Sequence, residues 1–177
     1  MSTSDIQFLR VLAIDPSPSG FGYVVIEEPS ELIDFGTKTV KGDKNFESLK
    51  RIEELINYTC PHVIIVEDIT KKGALRRERV RRLIRDIIKL AAGQKIKAFT
   101  VSRLEAKAIF SRSVAFNKHQ IASIIAAQFP ELRPYLPPPR KSWMPEDSRM
   151  SIFDAAALAL TLLRLHKGKH LKDKKLH

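Results

Sequence analysis

Apolar residues recur along this chain with two periods. From Phe8 to Asp15, Gly20 to Glu28 and Glu31 to Val40 they form short runs rich in β-branched residues, separated by the turn formers Ser17-Pro18-Ser19-Gly20 and Pro29-Ser30. Runs joined by such short links predict three strands in antiparallel succession. From Asn45 to Thr59 the period lengthens. Phe46, Leu49, Ile52, Leu55 and Ile56 recur at helical spacing, and Pro61 stops the segment. His62 to Glu67 is an unbroken apolar run closed by a carboxylate, the pattern of a strand covered on both faces, as in a parallel pair. Ala74 to Ala92 reads as a long amphipathic helix with Val80, Leu83, Ile84, Ile87, Ile88 and Ala91 on one stripe and Gly93 as its stop.

Lys95 to Val101 follows as a fifth strand. Ser102 is placed to cap a short helix, Arg103 to Phe110, with Glu105 at its third position. Asn117 to Gln128 is a further helix. Pro130 to Pro145 is too rich in proline for a regular helix or a central strand. Arg149 to Leu165 is the last helix, opened by Asp147 or Ser148, and His166 to His177 is a basic, frayed tail. The order β-β-β-α-β-α-β-α predicts an α/β fold: a mixed five-stranded sheet with helices on both faces. The expected organisation is one domain over residues 1–165, carrying a Pro-rich insertion at 130–146, followed by the tail at 166–177. A chain of 177 residues with 44% hydrophobic residues can bury a core of its own.

Charge narrows the partners. A formal net charge of +11 points to a polyanion such as nucleic acid. Cys60 is the only cysteine, which excludes an internal disulfide and a cysteine-based zinc site and fits a reducing, cytoplasmic setting. No apolar run approaches the ~20 residues of a membrane span, so no membrane partner is expected.

Three carboxylates stand where carboxylates are costly. Asp15 ends the first strand, Glu67 ends the fourth, and Asp154 interrupts the apolar run Met150 to Leu160 of the last helix. An Asp before a turn also serves as a side-chain cap, so Asp15 alone decides nothing. If the first and fourth strands are neighbours, their ends bring Asp15 and Glu67 together, and a helix across those ends adds Asp154. Such acids repel unless a cation sits between them, and an all-oxygen set suits Mg²⁺ or Mn²⁺. Two hard cations about 3.5–4 Å apart can activate water for in-line displacement at phosphorus. With a basic chain, that chemistry means phosphodiester hydrolysis in nucleic acid.

These motifs resemble the ribonuclease H-like superfamily and, within it, the RuvC-type Holliday-junction resolvases. Leu12-Ala13-Ile14-Asp15-Pro16-Ser17 with Gly22-Tyr23-Val24-Val25 resembles the family's first motif, Ile64-Ile65-Val66-Glu67 its second, and Asp154-Ala155-Ala156-Ala157-Leu158-Ala159-Leu160 its last. The resemblance implies a metal-dependent endonuclease acting on branched DNA, with Asp15, Glu67 and Asp154 as metal ligands and catalytic residues. It also implies Lys118 near the scissile phosphate and a homodimer able to cut a four-way junction symmetrically. The family carries a further acidic or histidine ligand one helical turn before the last Asp. Here Ser151 occupies that position, and Asp147, two turns before Asp154, is the carboxylate left to complete the set unless it only caps the helix.

The residues after Glu67 are strongly basic. Lys71, Lys72, Arg76 and Arg77 are assigned to DNA phosphates, with Lys107 and Lys118 as single cations on later helices. Tyr135 and Trp143 either stack on bases or pin the proline loop. Two other functions remain open: a ribonuclease H-like nuclease acting on RNA, and a binding module weakened in catalysis. An actin-like nucleotide enzyme would need two such domains around a cleft, and the chain has no Gly-x-x-x-x-Gly-Lys loop.

Overall fold

The central strand, β1 (Arg10–Ser17), pairs antiparallel with β2 (Gly20–Glu27), and β2 antiparallel with β3 (Glu31–Thr39). On its other edge β1 pairs parallel with β4 (Val63–Glu67), and β4 parallel with β5 (Lys97–Val101), giving the order β3-β2-β1-β4-β5. The structure, a computed structural model, describes residues 9–71, 76–110 and 116–173.

Both faces of the sheet centre are covered, which is why β1 and β4 lack polar alternation. Leu12, Ile14, Ile64 and Val66 pack under α1 (Lys44–Thr59) and α2 (Glu78–Gly93). Val11, Ala13, Val63 and Ile65 pack against α4 (Lys118–Gln128) and α5 (Met150–Asp173). The short α3 (Arg103–Ala108) begins directly after β5, with the expected Ser102–Glu105 capping box, and Asn117 and Gln120 form another at α4. The mixed five-stranded sheet expected from the sequence is the one observed.

Several boundaries differ from those expectations. β1 runs two residues past Asp15, because β2 pairs with it as far as Ser17 while pairing to β4 stops at Ala13. α2 starts at Glu78 rather than Ala74, which lies outside the described residues. It ends at Gly93 as expected, but the left-handed residue that closes the turn is Lys95 at φ +59°: the Lys95 and Ile96 amides donate to the Ala92 and Ala91 carbonyls. The proline segment opens with a 3-10 helix, Pro130–Tyr135, since proline is tolerated in a first turn. α5 continues to Asp173, so the segment expected to fray from His166 is helical to that point. Among the described residues no helix is long and apolar enough to cross a membrane.

One contact fixes how α5 crosses the sheet. Gly22 pairs with Asp15 on β1, and a Cβ at Gly22 would meet the Oγ, Cβ and backbone carbon of Ser151, the last at 2.5 Å. Gly22→Ala is therefore expected to destabilise the fold by about 1–3 kcal/mol, read as a lower urea midpoint at unchanged slope. Adding Ser151→Gly should restore only part of the loss, because the clash with the Ser151 backbone persists. Wild-type stability in Gly22→Ala would contradict this seating.

Candidate active site

The β1–β4 register pairs Ala13 with Ile65. Two residues further along each strand stand Asp15 and Glu67, on the face that α5 covers. Both are almost fully buried, at 4% and 3% exposure. Asp154 lies one helical turn after Ser151 on α5, with a side chain one-quarter exposed. All three acids line one cavity of about 340 Å³, whose apolar wall includes Ala106, Phe116, Ile121, Phe153 and Ala157.

Four cations line the same cavity, and three of them, Arg76, Arg103 and Lys118, are ion-paired with its acids. Arg76 forks across the strand ends: Nη2 donates to Asp15 Oδ1 at 2.5 Å, Nε to Glu67 Oε2 at 2.6 Å, and Nη1 to the Pro16 carbonyl at 3.1 Å. Arg103, the first residue of α3, reaches Glu67 Oε1 at 2.9 Å. Lys118, the first residue of α4, donates to Asp154 Oδ2 at 2.7 Å and to Glu146 Oε1 at 2.9 Å. Burial pushes the Asp15 carboxyl up to about 7; the charges of Asp154 and Glu67 add to that rise, and Arg76 and Lys118 oppose it. Burial works against the charge on Arg76, but Asp15 and Glu67 outweigh it and hold the guanidinium's pKa above its ordinary value. Lys118 is raised in the same way, burial being outweighed by Asp154 and Glu146.

The donor set is all carboxylate oxygen, with no histidine or cysteine in the cavity wall. That chemistry fits a hard divalent cation in kind. As the side chains stand, however, no group of three acidic, histidine or cysteine residues among those described is arranged to hold a metal ion. The protein's own cations fill that role.

The other expected site residues divide. Asp147 does not join the acids. It accepts hydrogen bonds from the backbone and guanidinium of Arg149, which keep its pKa low, and it lines a separate cavity with His119 and Pro137. It acts as a cap ahead of α5. Ser151 is buried against Gly22 and donates to the Ser148 carbonyl. Lys107 lines the acid cavity. Lys71 and Arg77 are exposed, whereas Lys72 lies outside the described residues. Tyr135 pins its segment edge-on to Phe35, while Trp143 is 76% exposed with the Lys141 ammonium over its ring.

Sequence reasoning missed Arg103 and Glu146. Arg103 follows β5, the strand whose Val101 pairs with Glu67, and a cation just past a neighbouring strand end was the available signal. It also placed Arg76 on DNA, whereas the guanidinium faces the acids. Arg76 belongs at once to the rim of a second, larger groove of about 960 Å³, lined by Lys44, Arg77, Arg79 and Arg82 with Phe46. Within that groove Arg79 is tied to the Ser17 carbonyl and to Asn45.

Solved structures share this fold. The Thermus thermophilus RuvC structure superposes with a TM-score of 0.65 at 17% identity, covering 90% of this chain and 97% of that one. T. thermophilus RuvC in complex with Holliday junction substrate gives 0.63 at 15% identity over 90% and 96%. The yeast mitochondrial Holliday junction resolvase Ydc2 gives 0.62 at 16% identity over 88% and 78%. No family model and no curated protein matches the chain. At these identities the likeness establishes the fold, which is the α/β ribonuclease H-like arrangement expected from the sequence.

The raised Asp15 carboxyl has a stability consequence with a definite sign. Between its ordinary value of 3.8 and about 7, the folded protein keeps a proton that the unfolded chain has lost. Stability conferred by this group is therefore complete below about pH 4 and is lost as pH rises through about 7. In EDTA, Asp15→Asn should match wild type near pH 4 and exceed it near pH 8 by a few kcal/mol at most, at ~1.4 kcal/mol per pKa unit. Urea unfolding across that range reads the difference, and parallel curves would refute the shift.

Proposed function

We propose that this chain is a divalent-metal-dependent endonuclease that hydrolyses phosphodiester bonds in branched DNA, of the Holliday-junction resolvase kind. The observation that carries the reading is the meeting of Asp15, Glu67 and Asp154 in one cavity, on a resolvase fold, beside a basic groove. The junction held by one of the structural neighbours supports the choice of substrate.

In this reading Asp15, Glu67 and Asp154 hold Mg²⁺ or Mn²⁺. Ions held by these residues would supply activation of a water and stabilisation of the leaving oxygen. The chain's own residues do the rest. Lys118, oriented by Asp154 and Glu146, brings a positive charge to the phosphate undergoing attack, where charge accumulates. Arg103 and Lys107 line the cavity on the α3 side and bind the adjoining phosphates, while Lys71 and Arg77 anchor the backbone further out. The apolar wall excludes bulk water from the carboxylates and so strengthens each charge interaction. Paired cuts across a four-way junction require two such sites, hence a homodimer.

Incubation with labelled four-way, three-way and linear DNA and with structured RNA, in Mg²⁺, Mn²⁺ or EDTA, tests the proposal. Paired nicks in the four-way junction with either metal, and none in EDTA, are expected. Asp15→Asn, Glu67→Gln and Asp154→Asn should each lower cleavage by about 100-fold or more while junction affinity measured in EDTA stays within a few-fold. Lys118→Ala should lower it by a comparable factor. Tight junction binding with no cutting in either metal would make the chain a binding module, and preferential cutting of RNA would move it to another branch of nuclease function.

A further inference from the structure

Arg76 is shared between two places. Its guanidinium bridges Asp15 and Glu67 and its side chain is only 14% exposed, yet the residue also lines the neighbouring groove with Lys44, Arg77 and Arg82. It precedes α2 and lies outside any regular element, so no helical geometry holds its side chain where it is. Around the cavity, Asp15, Glu67 and Asp154 are balanced by Arg76, Arg103 and Lys118. A divalent cation entering that set meets a guanidinium already on the oxygens it needs, and it adds two positive charges where Arg76, Arg103 and Lys118 already stand on the acids and Lys107 lines the same wall. Repulsion at such short range is strong where burial excludes water.

We propose that Arg76 exchanges between these anions: it holds the Asp15–Glu67 pair when DNA is absent and swings to a DNA phosphate in the groove when DNA is bound, so that metal loading and DNA binding reinforce each other. The inference rests on the metal-nuclease reading above and makes Arg76 a positioning residue. By linkage, whatever factor DNA contributes to metal affinity, metal contributes equally to DNA affinity. The arrangement keeps the hydrolytic site from loading away from its substrate. It also replaces one compensating cation with another, so the buried acids are never left bare.

The test measures Mn²⁺ binding by electron paramagnetic resonance on the full chain, with and without a four-way junction. Samples are kept on ice, gel-checked for intact strands and corrected for Mn²⁺ bound by the junction alone. Wild type without DNA should bind Mn²⁺ at least about tenfold more weakly than Arg76→Met, with Arg76→Lys in between. The junction should tighten Mn²⁺ binding to wild type by a similar factor and leave Arg76→Met nearly unchanged. Thermal melts follow the same comparison, with Mn²⁺ raising the midpoint of Arg76→Met more than that of wild type. If Arg76→Met does not fold, Arg76→Lys, which keeps a charge but cannot fork across both acids, carries the comparison. Equal Mn²⁺ affinity in wild type and variant, in a protein that still cuts junctions, overturns the exchange and leaves the nuclease reading standing. No Mn²⁺ binding and no cutting by any form overturns both.

Discussion

Helix α5 can carry a carboxylate to the end of β1 only because β2 has no side chain at Gly22. That missing methyl lets Ser151 sit directly on the sheet, opposite Asp15. One turn later the same helix presents Asp154 to the cavity. Ser151, one turn before Asp154, is thereby consumed in packing: it is buried, and its hydroxyl donates to the Ser148 carbonyl. Helix, sheet and site are set by one close approach. The apolar residues on either side, Phe153 and Val24 among them, hold it in place.

Electrostatics imposes the second condition. Two carboxylates at nearly zero exposure would each shed their charge or repel the other unless countered. The protein answers with a fork across both from Arg76 and a second guanidinium on Glu67. The compensation is incomplete at Asp15, whose carboxyl remains raised because burial outweighs Arg76. Stability is thus given up where the acids cluster, as is common where a site must hold like charges for chemistry.

Much of this was legible in the chain. Val63–Val66 has no polar alternation, which is what burial on both faces requires, and the adjacency of the first and fourth strands, a condition of the sequence reading, is met by the parallel β1–β4 pairing. A carboxylate after each run then located Asp15 and Glu67. Asp154 stood out as a charge in an apolar helix. What sequence could not give was the identity of the counter-ions. The run of basic residues after Glu67 reads as a surface for phosphate, and nothing in its spacing separates Arg76, which turns inward, from Arg77, which does not. Side-chain direction outside regular elements has no period to read. For the same reason Asp147 looked available as a ligand, whereas its neighbour Arg149 engages it locally. α2 ends at Gly93 as its sequence implied, but the left-handed residue that closes the turn is Lys95, two positions past the glycine.

The acids and the bases sit on different kinds of scaffold. Asp15 and Glu67 are on paired strands at the centre of the sheet, and Asp154 is inside a long helix packed on them. The cations arise where elements begin: Arg76 ahead of α2, Arg103 at the first position of α3, Lys118 at the first position of α4. The start of a helix is an unfavourable place for a positive charge, since the peptide dipoles there already point their positive end outward. Lys118 tolerates the position through Asp154 and Glu146. Where a cation and a helix start coincide, any further anion is drawn by both, and an incoming phosphate is such an anion. Constellations meant to stay fixed belong on packed elements, and groups meant to trade partners belong at their margins. In this chain the carboxylates sit on packed elements and their counter-ions at the margins, so the exchange proposed for Arg76 would leave the carboxylate geometry undisturbed.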